Sequence, residues 1–118
     1  MAHAALDNLD AAIRDYDEAI RLNPRFALAF LSRSIAYERR GDLDAAIRDY
    51  GEAIRLDPRN ATAFYNRGVV YEWRGNLGQA AADFREAARL GHKEARLSLA
   101  RVEAALAAQE RPLRGSPR

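Results

Sequence analysis

Apolar residues recur along this chain at the spacing of one helical face. Ala46, Ile47, Tyr50, Ala53, Ile54 and Leu56 fall on one side of a segment whose other side carries Arg48, Asp49, Glu52 and Arg55. The pattern is punctuated at regular intervals. RRGD (Arg39 to Asp42) and WRGN (Trp73 to Asn76) place a Gly after a helical run, where a left-handed residue costs little, followed by an Asp or Asn that is expected to cap the next helix. NPRF (from Asn23) and DPRN (from Asp57) place a Pro where a new helix is expected to begin. The spacing predicts six helices, at about 4–22, 27–40, 43–56, 61–74, 77–90 and 94–109.

The helices are also related to one another. AAIRDYDEAIRLNPR, Ala11 to Arg25, returns 34 residues later as AAIRDYGEAIRLDPR, Ala45 to Arg59, differing only where Asp17 becomes Gly51 and Asn23 becomes Asp57. A weaker third copy begins with Gln79-Ala80 in the same register and reads AAADFREAARLGHK from Ala80. A fixed period of this length signals stacked helical units.

The residues that repeat resemble the tetratricopeptide repeat family. One unit supplies Phe30, Arg33-Ser34, Tyr37, Ala46, Tyr50 and Pro58, and the next supplies Phe64, Arg67-Gly68, Tyr71, Ala80, Phe84 and His92. Where the family pattern has Leu this chain has Arg33 and Arg67, read as a tolerable amphipathic substitution. Gly91-His92 replaces the Asp-Pro join. The resemblance implies an all-α fold, a right-handed superhelical array of antiparallel helix pairs. It divides the chain into a half repeat (7–26), full repeats (27–60 and 61–94) and a terminal helix (95–108), with 109–118 expected to form a flexible basic tail. Small residues such as Ala36, Ala46, Gly68 and Ala80 are expected where helices approach closely, and a Gly within a helix, about 1 kcal/mol worse than Ala, implies a contact that a methyl group would disturb.

The same resemblance implies a concave groove lined by the first helix of each pair, able to hold a partner's peptide or helix. Its lining is expected to be Leu28, Leu31, Ser32, Ile35 and Arg39, then Thr62, Tyr65, Asn66, Val69, Glu72 and Trp73, with Arg96 and Leu99 from the last helix. Relatives that grip a C-terminal carboxylate use Lys and Asn early in the groove, where this chain has Leu31 and Ile35. An apolar or mixed ligand is the better expectation. The first helix starts without its pair, so Leu9, Ile13, Tyr16 and Ile20 are expected to mediate self-association or homo-oligomerisation.

Composition narrows the chemistry further. At 118 residues with no Cys, the chain has no disulfide, thiolate or cysteine metal site. Its net charge of +2 owes much to Arg111, Arg114 and Arg118, and elsewhere Arg alternates with Asp and Glu, which argues against nucleic acid. No apolar run approaches a membrane span of about 18 residues. The expected compartment is the cytoplasm, although a chain without Cys suits the periplasm equally. His3 and His92 read as solvated side chains, and Asp15, Glu18, Asp49, Glu52, Asp83 and Glu86 as solvated helix charges with i,i+4 partners. Neither set has the spacing of a metal or acid–base site, so no enzyme activity and no cofactor are expected.

Overall fold

The computed structural model describes residues 2–110, with side chains from residue 8 onward. Those residues form α1 (Ala2–Leu22), α2 (Ala27–Arg40), α3 (Leu43–Leu56), α4 (Ala61–Trp73), α5 (Leu77–Arg89) and α6 (Lys93–Glu110). All six expected helices are present, with ends within about two residues. Gln109 and Glu110 continue α6, and the rest of the expected tail, 111–118, lies outside the described residues.

Each helix packs mainly on its sequence neighbours, so the units stack in a row. The extents are 61 × 34 × 22 Å and the radius of gyration is 17.0 Å, against about 13.5 Å for a compact chain of this length. The protein is an elongated helical repeat solenoid.

Two kinds of turn alternate along the stack. Within pairs, Gly41 (φ 93°) and Gly75 (φ 82°) adopt the left-handed conformation. The N–H groups of Asp42 and Asn76 return to the carbonyls of Tyr37 and Tyr71, at 2.9 and 2.8 Å. Asp42 and Asn76 precede α3 and α5 but make no side-chain capping bond, and the Asp42 carboxylate accepts from Arg40 instead. The first true side-chain cap is Asn60, which accepts from the Ala63 N–H at 3.1 Å.

Between pairs, Pro24 and Pro58 do not start helices as expected. Each sits second in a turn closed by the Phe26 N–H on the Asn23 carbonyl (3.1 Å) or the Asn60 N–H on the Asp57 carbonyl (3.2 Å), where its fixed φ is already suited. The α5–α6 join is of the first kind. Gly91 is left-handed (φ 102°) and the His92 N–H returns to the Ala87 carbonyl at 2.9 Å. The last helix is therefore set by a within-pair turn where the period alone calls for a between-pair one.

Ala46, Tyr50 and Val70 form one buried cluster, joined by Leu31 and Ile35. Ala80, Ala81, Phe84 and Val102 form another, joined by Tyr65, Val69 and Leu99. Helix α1 differs from its copies. Ile13 is buried within the chain, so it is not available for self-association as expected. The helix carries two apolar faces, and Ile13 lies on the one that the chain itself covers; Leu9, Tyr16 and Ile20 are only partly covered.

The expected close contact is present at Gly68, where an added Cβ would lie 2.8 and 2.9 Å from two Phe84 ring carbons and 3.2 Å from the Asp83 Cβ. At Gly51 the same atom would meet only the Arg67 guanidinium, at 3.7 Å. Gly51→Ala is therefore expected to stabilise the protein by up to about 1 kcal/mol. Gly68→Ala is expected to destabilise it by roughly 1–3 kcal/mol despite the same gain in helix propensity. Paired denaturant unfolding curves measure both signs.

Candidate functional site

Helices α2 and α4 are held on α3 and α5 by the same device, repeated. Arg33 donates from Nε and Nη2 to the two carboxylate oxygens of Asp49, at 2.6 and 2.9 Å. Arg67 does the same to Asp83, at 2.8 and 2.9 Å. Both carboxylates are buried, with side-chain exposures of 7% and 5%. Each guanidinium also lies 5.6–5.9 Å from the rings of two aromatics of its own helix, Phe30 and Tyr37 or Phe64 and Tyr71. These hydrogen bonds raise the pKa of Arg33 and Arg67 above that of ordinary arginine.

The expectation that Asp49 and Asp83 are solvated charges is thus overturned. Arg33 and Arg67 hold the pairs together and are not merely tolerated. The solvated reading suits Glu18, Glu52 and Glu86, which pair with Arg21, Arg55 and Arg89 at i,i+3 spacing.

With α2 and α4 fixed this way, none of the expected groove residues is fully buried. Leu28, Arg39, Thr62, Trp73 and Arg96 are exposed, Leu28 and Trp73 each at 61%. Leu31, Ser32, Ile35, Tyr65, Asn66, Val69, Glu72 and Leu99 are half-buried. The structure brings Tyr65, Val69 and Leu99 together on the Phe84 cluster. Tyr65 is stacked on His92, with ring centroids 4.1 Å apart and planes 16° apart, and tilted against Phe84.

His92 is therefore not a solvated histidine. Its side chain is 17% exposed, its Nδ1 is shielded without a hydrogen-bond partner, and the nearest carboxylate oxygen, on Glu94, is 3.5 Å away. The tight Gly91 turn tucks the ring under Tyr65. His3 lies outside the side chains described.

Two polar contacts on this face were not anticipated. The Tyr50 hydroxyl, buried, donates to Glu38 at 2.6 Å. Glu72, one period on from Glu38, has Phe84 in place of that tyrosine and instead accepts two bonds from Arg101, at 2.7 and 2.9 Å. The exchange follows from the lost hydroxyl. A sequence signal existed in the matching pairs Glu38/Glu72 and Tyr50/Phe84. Among the described residues no three His, Asp or Glu side chains are grouped to hold a metal ion, and no described helix is long and apolar enough to cross a membrane.

The chain matches the sequence pattern described as "Tetratricopeptide repeat" over residues 1–53 and that described as "TPR repeat" over residues 36–72. The solved structures similar to it include three tetratricopeptide-type or related chains. The first TPR of Spaghetti (RPAP3), bound to the HSP90 peptide SRMEEVD, superposes with a TM-score of 0.80 at 25% identity, covering 86% of this chain and 82% of that one. The Arabidopsis OM64 TPR domain gives 0.78 at 29% identity, covering 84% of each. MamA gives 0.71 at 31% identity, covering 76% of this chain and 53% of that one. No curated protein sequence matched the chain.

Two outcomes are expected from this electrostatic arrangement. Arg67→Met leaves the Asp83 carboxylate buried and unpaired, so it should cost roughly 3–5 kcal/mol in chemical unfolding, whereas the double change Arg67→Met/Asp83→Leu should recover much of that loss. Burial first, and then the neighbouring Glu38, push the Tyr50 phenol far above ordinary tyrosine. Because the folded pKa is raised, this stabilisation is complete below the unfolded value of about 10 and is lost as pH rises above it. Alkaline absorbance titration should therefore show Tyr50 ionising only as helicity is lost, a step missing from Tyr50→Phe.

Proposed function

The chain belongs to the tetratricopeptide repeat family and is a protein-interaction module, and on that footing we propose that it binds a partner's apolar or mixed peptide or helix along the face lined by α2, α4 and α6. The observation that carries this reading is the pair of large apolar side chains left exposed on that face, Leu28 and Trp73, at 61% each. Single exposed apolar residues are ordinary on a protein surface. Here each one extends an apolar run at helical spacing on its own helix, Leu28–Leu31–Ile35 on α2 and Tyr65–Val69–Trp73 on α4, which supports a shared ligand.

The relative bound to SRMEEVD holds a peptide rich in carboxylates. In this chain the positions that the family's carboxylate-gripping members fill with Lys and Asn are Leu31 and Ile35, leaving Asn66 and Arg96. Leu31 and Ile35 would desolvate an acidic terminus without pairing it. An apolar segment is the better occupant.

Trp73 is the chain's single tryptophan, so its emission reports this face alone. Titration with peptides of graded hydrophobicity is expected to shift Trp73 emission for apolar helical or extended sequences and to leave it unmoved by SRMEEVD. Leu28→Ala and Trp73→Ala, both at exposed sites, should each weaken an established ligand by roughly 1–2 kcal/mol without changing helicity. Tyr65→Ala is the poorer probe because Tyr65 also packs on His92 and Phe84. Equal affinity in the Leu28→Ala/Trp73→Ala protein would remove this face from consideration.

A further inference from the structure

Helix α1 leaves partly open the face that α3 buries against α2. Ala46, Tyr50 and Ala53 of α3 are 0%, 0% and 1% exposed, and Asp49 is 5% exposed. Their counterparts one period earlier are Ala12, Asp15, Tyr16 and Ala19, identical in type. Among the described residues no helix covers this second face. Ala12, Tyr16 and Ala19 are partly exposed, and Asp15 is exposed with no ion-pair partner among the described side chains. Asp15, Tyr16 and Ala19 line a cleft of about 280 Å³ whose other wall is Phe26, Leu28, Ala29 and Ser32 of the loop and α2, so it borders the face proposed above at Leu28 and Ser32 and lies away from Trp73.

We propose that this face of α1 is a second docking surface, and that its occupant is a partner protein's amphipathic helix carrying the pattern Phe-x-x-Arg-small-x-x-Tyr-Glu. The pattern is read from the two helices that cover the same face elsewhere in the chain. Phe30, Arg33, Ser34, Tyr37 and Glu38 cover α3, and Phe64, Arg67, Gly68, Tyr71 and Glu72 cover α5. Each element has a counterpart on α1. The Arg answers the lone carboxylate of Asp15, as Arg33 answers Asp49. The small residue lets the helix close over Tyr16, as Ser34 and Gly68 do over Tyr50 and Phe84. The Glu accepts from the Tyr16 hydroxyl, as Glu38 does from Tyr50.

A second copy of this chain fits less well. Its α2 and α4 are already engaged on their own Asp49 and Asp83. Its α6 has Ser98, Val102 and Ala105 where the pattern calls for Phe, a small residue and Tyr, and its Arg101 is held by Glu72.

The test uses a helix-stapled peptide of residues 26–41, Phe26 to Gly41, with the staple on the side away from Arg33, titrated into the full-length protein by calorimetry and two-dimensional NMR. Saturable binding is expected, with shifts centred on Asp15, Tyr16 and Ala19. Asp15→Arg in the protein, or Arg33→Asp in the peptide, should weaken it at least tenfold, and combining the two should restore it. Because Asp15 is exposed, Asp15→Arg should keep its full helicity, which circular dichroism verifies. Trp73→Ala should leave the peptide's affinity unchanged, which separates this surface from the one proposed above. Three results would overturn the proposal: no binding at millimolar peptide, binding indifferent to Asp15, or a concentration-dependent dimer of the protein alone that Tyr16→Glu abolishes, which would make a second copy the occupant.

Discussion

A guanidinium and a carboxylate meet between the two helices of each pair, beside a residue too small to hold the helices apart. Arg33 with Asp49, and Arg67 with Asp83, are fork-to-fork pairs in a largely dehydrated setting, where geometry decides whether burying charge is favourable. The small residue permits the approach, the approach shields the pair, and the pair fixes the rotation of the first helix. That rotation determines which side chains of α2 and α4 remain open, so the proposed binding face depends on a contact that touches no ligand. An uncharged Leu at these positions would pack the pair without fixing its register so narrowly.

The stack also carries clasps between units. Arg40 reaches back to Asp10, and Arg74 to Asp44, one period apart. The next step of this series is absent, with Gly78 and Ala108 at the corresponding places. It fails together with the between-pair turn, which Gly91 converts to the within-pair type, and with the aromatic and small positions of α6. The two ends of the described array thus differ in kind. The α6 end keeps Arg101 in register but departs from the repeat at Ser98, Val102, Ala105 and Leu106, while the α1 end keeps Ala12, Asp15, Tyr16 and Ala19, which its copy in α3 uses for pairing.

How much of this was legible in the sequence depends on the range of the interaction. The helices, their ends and the contact at Gly68 follow from local rules and the period, because the same physical environment recurs every unit. The buried pairs were missed because an Asp on a helix with Arg neighbours reads as solvated when each helix is considered alone. A signal was present in the departure of both Arg33 and Arg67 from the family pattern, each with an Asp 16 residues on. His92 is hidden from the sequence for a similar reason, since a histidine after a glycine has the look of a turn residue and its stacking on Tyr65 is a tertiary contact. Spacing groups Ile13 with Leu9, Tyr16 and Ile20 on one stripe of α1, and does not say which edge of that stripe the chain covers.

The neighbour-only packing of the stack has a kinetic consequence. Nearly every contact joins helices adjacent in sequence, so the chain closes only short loops as it folds. The loop-closure entropy that slows sheet proteins is small here, and helical chains with such local contacts reach the native state in roughly microseconds to milliseconds. Order can begin at any pair and spread in either direction. During synthesis the α2–α3 pair can close once Leu56 has emerged from the ribosome, without waiting for the second unit to emerge.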